Sequence, residues 1–257
     1  MFAILLCLSL CLARTQALTI ELKKDNFVSL RETIDQDVSS RLLAKLNTIE
    51  AKHDTLYLYI NSPGGDVMAG FEIINYIKSL QDRSKQVVCI AHNAMSMAFA
   101  IFQYCSQRYI LYTSTLMQHQ MSLQLKGKLY DLNSRMQYLN LIEQKINRDQ
   151  AARLNMSLVN FTHLIQNDWW LYAEEILLQK AADQLVSLAC LFENYDENIV
   201  VQTLFGDVQV KYSACPLINY PLQVTYPSIN FSENNKMEFM NKHINFMHAI
   251  YTTTAFN

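Results

Sequence analysis

Residues 56–70 read LYLYINSPGGDVMAG, and their reading decides the fold. Leu56 to Ile60 is a compact apolar run of strand length, and Asn61-Ser62-Pro63-Gly64-Gly65 behind it is a turn. From Val67 to Leu80 the apolar residues Val67, Phe71, Ile74 and Ile77 recur at helical spacing. Downstream the unit repeats: Val87 to Ala91 is a second apolar run, followed by a turn and a helix that begins near Ser96. Upstream, Thr19 to Leu22 reads as a short strand. Asp35 to Ile49 reads as a helix with Leu42, Leu43, Leu46 and Ile49 at helical spacing. Strand, helix, strand, helix predicts parallel strands joined by crossovers, and so an α/β fold.

Beyond this unit, Arg108 to Tyr112 and Leu116 to Met121 read as two further strands. Lys128 to Leu154 runs without Gly or Pro and predicts one long helix, with Leu132, Met136, Leu139, Ile142 and Ile146 forming a stripe for a partner helix or for the core. Leu158 to Gln166 and Ala173 to Ala182 predict short helices, and Val186 to Leu188 a last strand. After Cys190 helical periodicity fades and Tyr, Asn, Val and Pro become common. Within that stretch Val200 to Tyr212, with Gly206-Asp207 between two apolar runs, predicts a β-hairpin. At the other end, Phe2 to Ala13 is an apolar run too short to span a bilayer, and Thr15-Gln16-Ala17 has the small residues of a cleavage site. The pattern predicts a secretory signal peptide over 1–17, a main domain over 18–190 and an extension over 191–257. A leader of this kind implies the secretory pathway or the extracellular space.

The 257 residues are 51% hydrophobic and 17% charged, the balance of a chain that buries a core. A net charge of -2 without a Lys/Arg stripe argues against nucleic acid as a partner. Of six cysteines, Cys7 and Cys11 leave with the leader. Cys89 and Cys105 lie in apolar surroundings and read as buried small hydrophobes. Cys190 and Cys215 are able to pair in an oxidising compartment, and no pair has metal-ligand spacing. Sequons stand at Asn155, Asn160 and Asn230.

The chemistry-bearing residues sit at the strand-to-helix junctions. Pro63-Gly64-Gly65 supplies a turn in which a backbone amide faces open space. Ser96, with Ala94 and Ala98 beside it, puts a hydroxyl at a helix start, where unpaired N–H groups suit a developing oxyanion. Alone, Ser96 reads as a plain N-cap, His119 as a structural histidine, and Asp168 as a turn residue. Their order and context carry more than any one of them.

Residues 56–70 resemble the signature strand and turn of the Clp protease proteolytic subunit, ClpP. Ala94-Met95-Ser96-Met97-Ala98 resembles that family's A-A-S-M-G segment, and Leu116 to Gln120 (LMQHQ) its M-I-H-Q-P segment. Asn167 to Glu175 (NDWWLYAEE) resembles R-D-x-[FY]-[LM]-[ST]-A-x-E-A, and Asp183 fits the Asp of the closing G-L-[VI]-D. The resemblance spans about residues 20–188 and implies a crotonase-like repeated ββα superhelix with residues 128–154 as its handle helix. It implies Ser96 as nucleophile, His119 as general base, Asp168 as the group orienting the base, and the amides of Gly65 and Met97 as oxyanion hole. A serine endopeptidase acting on short or unfolded polypeptides follows, without cofactor or metal, in a homo-oligomer of ring type. Export would separate the chain from the ATP-driven unfoldases that serve ClpP.

The chain departs from the pattern in places. His92 stands for a Gly, Ala98 for the Gly after the nucleophile, Met95 for an Ala, and Met121 for the Pro after His119-Gln120. These changes leave two other readings open: a catalytically silent scaffold or binding protein, and a crotonase-fold enzyme acting on acyl-CoA thioesters. The latter gives no reason for Ser, His and Asp in this order.

Overall fold

The computed structural model describes residues 18–191, 196–203, 206–218 and 221–225. The expected leader over 1–17, with Cys7 and Cys11, the Asn230 sequon and the end of the extension lie outside the described residues. The main domain starts with strands β1 (Leu18–Leu22) and β2 (Phe27–Leu30) and helix α1 (Gln36–Glu50). Asp35 ends up outside that helix as its cap, its carboxylate accepting from Val38 N–H. Strand β3 (Thr55–Ser62), helix α2 (Val67–Asp82), strand β4 (Gln86–Met95) and helix α3 (Met97–Gln103) follow. Strand β5 (Gln107–Gln118) leads into helices α4 (Leu129–Arg153) and α5 (Leu158–Leu164). Strand β6 (Trp169–Tyr172), helix α6 (Glu174–Leu178) and strand β7 (Gln184–Cys190) close the domain.

Among the described residues, one sheet runs in the order β1-β7-β5-β4-β3-β2, all parallel, with β6 added antiparallel to β5. Both faces of this sheet are covered, which explains the uninterrupted apolar runs. Leu56, Leu58, Ile60, Val87, Cys89 and Ala91 pack into the larger core with α1, α2 and α3. Tyr59, Val88 and Ile90 pack on the other face with Ile20, Leu22 and Val186. Each such fully buried aliphatic side chain contributes about 1.5–3 kcal/mol. The architecture is the α/β fold expected, consistent with the ClpP/crotonase arrangement.

Three local expectations change. The two strands at 108–112 and 116–121 are one, β5, because Ser114 between them is buried and its hydroxyl donates to Ala91 O at 2.6 Å and accepts from Leu111 N–H at 2.7 Å. The polar break is thus satisfied inside the ladder, at the bulge where β4 shifts register between Ala91 and Asn93. The helix expected over 173–182 shrinks to five residues, and a turn at Gln179–Lys180 follows it. Cys89 and Cys105 are not free thiols: they form a disulfide, because the crossover through α3 returns Cys105 to a Cα–Cα distance of 5.8 Å from Cys89.

The extension holds a second, antiparallel sheet of strands β8 (Asp196–Thr203), β9 (Gly206–Ser213) and β10 (Pro221–Thr225). The expected hairpin is β8–β9, with Thr203 opposite Gly206. Cys190 and Cys215 are disulfide-bonded, and Arg31 Nη2 donates to Cys215 O at 3.3 Å. Helix α4 buries only its C-terminal part, at Ile146, Asn147, Gln150 and Ala151. Of the expected stripe, Ile146 joins the core, Leu132, Leu139 and Ile142 are half-buried, and Met136 is 41% exposed, with Leu129 and Leu141 exposed beside it. The stripe therefore serves the core only at its C-terminal end.

Candidate active site

Ser96 occupies the junction between β4 and α3 with φ 53° and ψ -120°, a conformation L-residues rarely adopt. Its backbone is held on both sides: Ser96 N–H donates to Met117 O at 2.9 Å, and Ala100 N–H donates to Ser96 O at 3.1 Å. The side chain does not cap the helix that follows. Instead the Ser96 Oγ lies 2.8 Å from His119 Nε2. A serine that only capped α3 would direct its oxygen at the helix amides, so the local conformation and the partner both argue against that role.

His119 follows the end of β5, next to Gln118, whose Oε1 accepts from His119 N–H at 3.1 Å. Gln118 is buried and donates from Nε2 to Gln150 Oε1 at 2.6 Å, and Gln150 Nε2 donates to Ile146 O at 3.2 Å. This chain of amides ties the histidine backbone to α4.

Asp168 precedes β6 and is exposed. The last pair of the β5–β6 ladder is Gln118 with Trp169, so Asp168 is the next residue opposite His119. Among the described residues no hydrogen bond joins the two side chains. The sequence reading brought three residues together; the structure joins Ser96 and His119 directly and leaves Asp168 alongside.

The glycine turn abuts the Ser96 junction. A Cβ on Gly64 (φ 92°) would stand 2.5 Å from Met95 O and 2.8 Å from both Met97 N and Ser96 Cβ, so only glycine fits. Ile34 N–H donates to Gly64 O and Asp66 N–H to Ile34 O, each at 2.8 Å. Gly65 is the bridge residue between those two bonds, so its own N–H faces away from Ile34. Met97 is the first residue of α3, where the N–H has no partner within the helix. The N–H groups of Gly65 and Met97 thus have no hydrogen-bond partner among the described residues. The replacement residue His92 sits on β4 at the register shift, half-buried, its pKa lowered by burial, and away from this pair.

A pocket of about 40 Å³ opens beside Ser96 and His119. Its wall includes Glu143, Asn147 and Gln150 of α4, which sequence reasoning did not single out. Their spacing of four and three residues puts them on one helix face, a polar stripe beside the apolar one. Glu143 Oε1 accepts from Met121 N–H at 3.2 Å, a donor that a proline there would lack. A larger open hollow of about 690 Å³ near Lys23, Lys52 and Leu191 contains none of these groups, and chemistry rather than size locates the site. Among the described residues no cluster of His, Cys, Asp or Glu is suited to a metal ion.

A hydroxyl paired to an imidazole, at a strained junction beside two unused amides, is an arrangement for acyl transfer. A family model described as Clp protease matches residues 13–187, more than half of the 257-residue chain, and the chain belongs to the Clp protease family.

Proposed function

We propose that the chain is a serine endopeptidase that cleaves short or unfolded polypeptides through an acyl-enzyme intermediate. The observation that carries this reading is the 2.8 Å approach of Ser96 Oγ to His119 Nε2, with the hydroxyl released from capping by a positive φ. His119 Nε2 takes the hydroxyl proton as Ser96 Oγ attacks the peptide carbonyl, then delivers it to the leaving amine. Water attacks the acyl-enzyme in the second half, with His119 again as base. The amides of Gly65 and Met97 receive the oxyanion, and losing one such donor costs about 10²–10³ in rate. Asp168 takes the imidazole Nδ1–H when substrate fills the site, holding the tautomer and stabilising the imidazolium. Resting sites are often looser than substrate complexes, which accommodates the open Asp168.

A homo-oligomer is part of the proposal, built on the exposed stripe of α4 around Met136 and Leu141. So is export, which the two disulfides favour, since such bonds persist in oxidising compartments. An exported enzyme works apart from ATP-driven unfoldases, which limits it to chains that are already loose. The exposed, unbonded Asp168 favours the second reading, a silent scaffold that keeps the fold.

Labelling with a fluorophosphonate probe separates the two. The peptidase reading expects a covalent adduct on Ser96, hydrolysis of an unfolded protein such as casein, and loss of both in Ser96→Ala. Folded, assembled protein that takes no label is the scaffold.

A further inference from the structure

We propose that the pocket beside Ser96 selects a short, uncharged, hydrogen-bonding side chain in the residue whose carbonyl is attacked, and disfavours aliphatic and acidic ones. This rests on the peptidase reading, in which that side chain enters the pocket next to the nucleophile.

Val67, Met97, Ala100, Met121 and Ile146 supply an apolar part of the wall, and the polar groups that α4 and Gln118 add to it carry the inference. Gln118 and Gln150 are buried and their polar atoms are engaged, with each other, with His119 N–H and with Ile146 O. Asn147 differs: it is only 8% exposed and lines the pocket, yet among the described residues its carboxamide has no hydrogen-bond partner. The polar atoms of that carboxamide are open to the pocket rather than sealed, so the loss of free energy falls on a ligand that displaces water there without replacing its bonds. A substrate Asn, Ser or Thr supplies both a donor and an acceptor to it. A leucine in the same space supplies neither and shuts water out. Sites built to bond a polar group reject the apolar analogue far more strongly than apolar pockets reject a polar one.

Glu143, one turn before Asn147, adds the charge selection. One of its carboxylate oxygens is held by Met121 N–H, and the carboxylate has no cationic partner among the described residues. A second carboxylate entering the pocket would face that charge directly. The hollow is small, about 40 Å³, which favours a short side chain over an aromatic one.

Three peptides identical except for Asn, Leu or Asp before the scissile bond test this, because those side chains share one four-atom skeleton branched at Cγ. Hydrolysis by the wild-type protein is one readout. Anisotropy of the same fluorescein-labelled peptides with Ser96→Ala protein is the other and needs no turnover. The Asn peptide should exceed the Leu and Asp peptides by about tenfold or more in both. Asn147→Leu should reverse the order of Asn and Leu, and Glu143→Gln should narrow the gap between Asn and Asp; thermal melts check that each variant folds. Equal or better handling of Leu by the wild-type protein overturns the proposal, as does failure of every peptide to bind at millimolar concentration. Asn-selective binding without fluorophosphonate labelling of Ser96 keeps the pocket assignment and removes the peptidase. Labelling with a preference for Leu does the reverse.

Discussion

Asp168 stands across from His119, one step beyond the Gln118–Trp169 pair that ends the β5–β6 ladder. Opposite residues of such a ladder have Cβ atoms about 4.5–5.5 Å apart, and the register continued by that one step would bring carboxylate and imidazole within reach of each other. Asp168→Asn should therefore lower kcat/KM by about 10²–10⁴ and slow fluorophosphonate labelling of Ser96 comparably. A change of less than about twofold in the labelling rate would assign the orienting role elsewhere.

The Gly64 turn is predicted to be intolerant of any side chain. Gly64→Ala drives a methyl against Met95 O, Met97 N and Ser96 Cβ and requires a positive φ of an alanine. Activity should fall at least tenfold, since the same contact displaces the hydroxyl and the neighbouring amide. Stability should fall by about 1–3 kcal/mol, read by urea denaturation. An alanine variant of wild-type activity would show that this turn does not brace the Ser96 junction.

Acid should loosen the end of the main sheet. Arg108 is 4% exposed and donates to Asp183 Oδ1 at 2.5 Å from Nη2, and Arg153 lies 3.4 Å from the same carboxylate. Burial pushes the Asp183 pKa up, but the bonds and charge of Arg108, with Arg153, outweigh it and hold the value below 3.8. The folded-state pKa is depressed, so this contribution is complete above the ordinary carboxylate value and disappears as pH falls through the lower folded value. Melting temperature should thus drop more steeply below about pH 4 in the wild-type protein than in Asp183→Asn. That variant should also lose about 1–3 kcal/mol at neutral pH, because the buried Arg108 guanidinium keeps its bond to Gln103 Oε1 but loses its counter-charge.

The two disulfides should differ in access. Cys89 is fully buried and Cys105 3% exposed, whereas Cys190 is half-buried at the end of β7. Mild reductant without denaturant should open Cys190–Cys215 first, as read by alkylation and mass spectrometry. Replacing Cys89 and Cys105 together by alanine should cost about 3 kcal/mol for the 16-residue separation they span. Free thiols at 89 and 105 in protein isolated under oxidising conditions would contradict the pairing.

Much of this was legible in the chain because apolar runs buried on both faces announce strands without ambiguity, as at Leu56–Ile60 and Val87–Ala91. What escaped notice was short or polar. Strand β2 has four residues behind Lys23-Lys24-Asp25-Asn26 and sits at the sheet edge, where pairing on one side gives little pattern. Strand β6 is equally short, four residues between two stretches that read as helices. Ser114 disguised a continuous strand as two because its partners come from β4 and its own strand. At the site, order along the chain pointed to Ser96 and His119, but the Glu143–Asn147–Gln150 stripe is one of several polar rows on α4, and only the packing of its last turns picks out that face.

The Cys190–Cys215 bond encloses the whole β8–β9 hairpin in a covalent loop that starts from the main sheet. A protease nick within that loop would not separate the pieces. The clipped molecule would migrate at full mass on a gel run without thiol and fall into two fragments once thiol is added. Severed or whole, the hairpin keeps its mooring for as long as the surroundings stay oxidising.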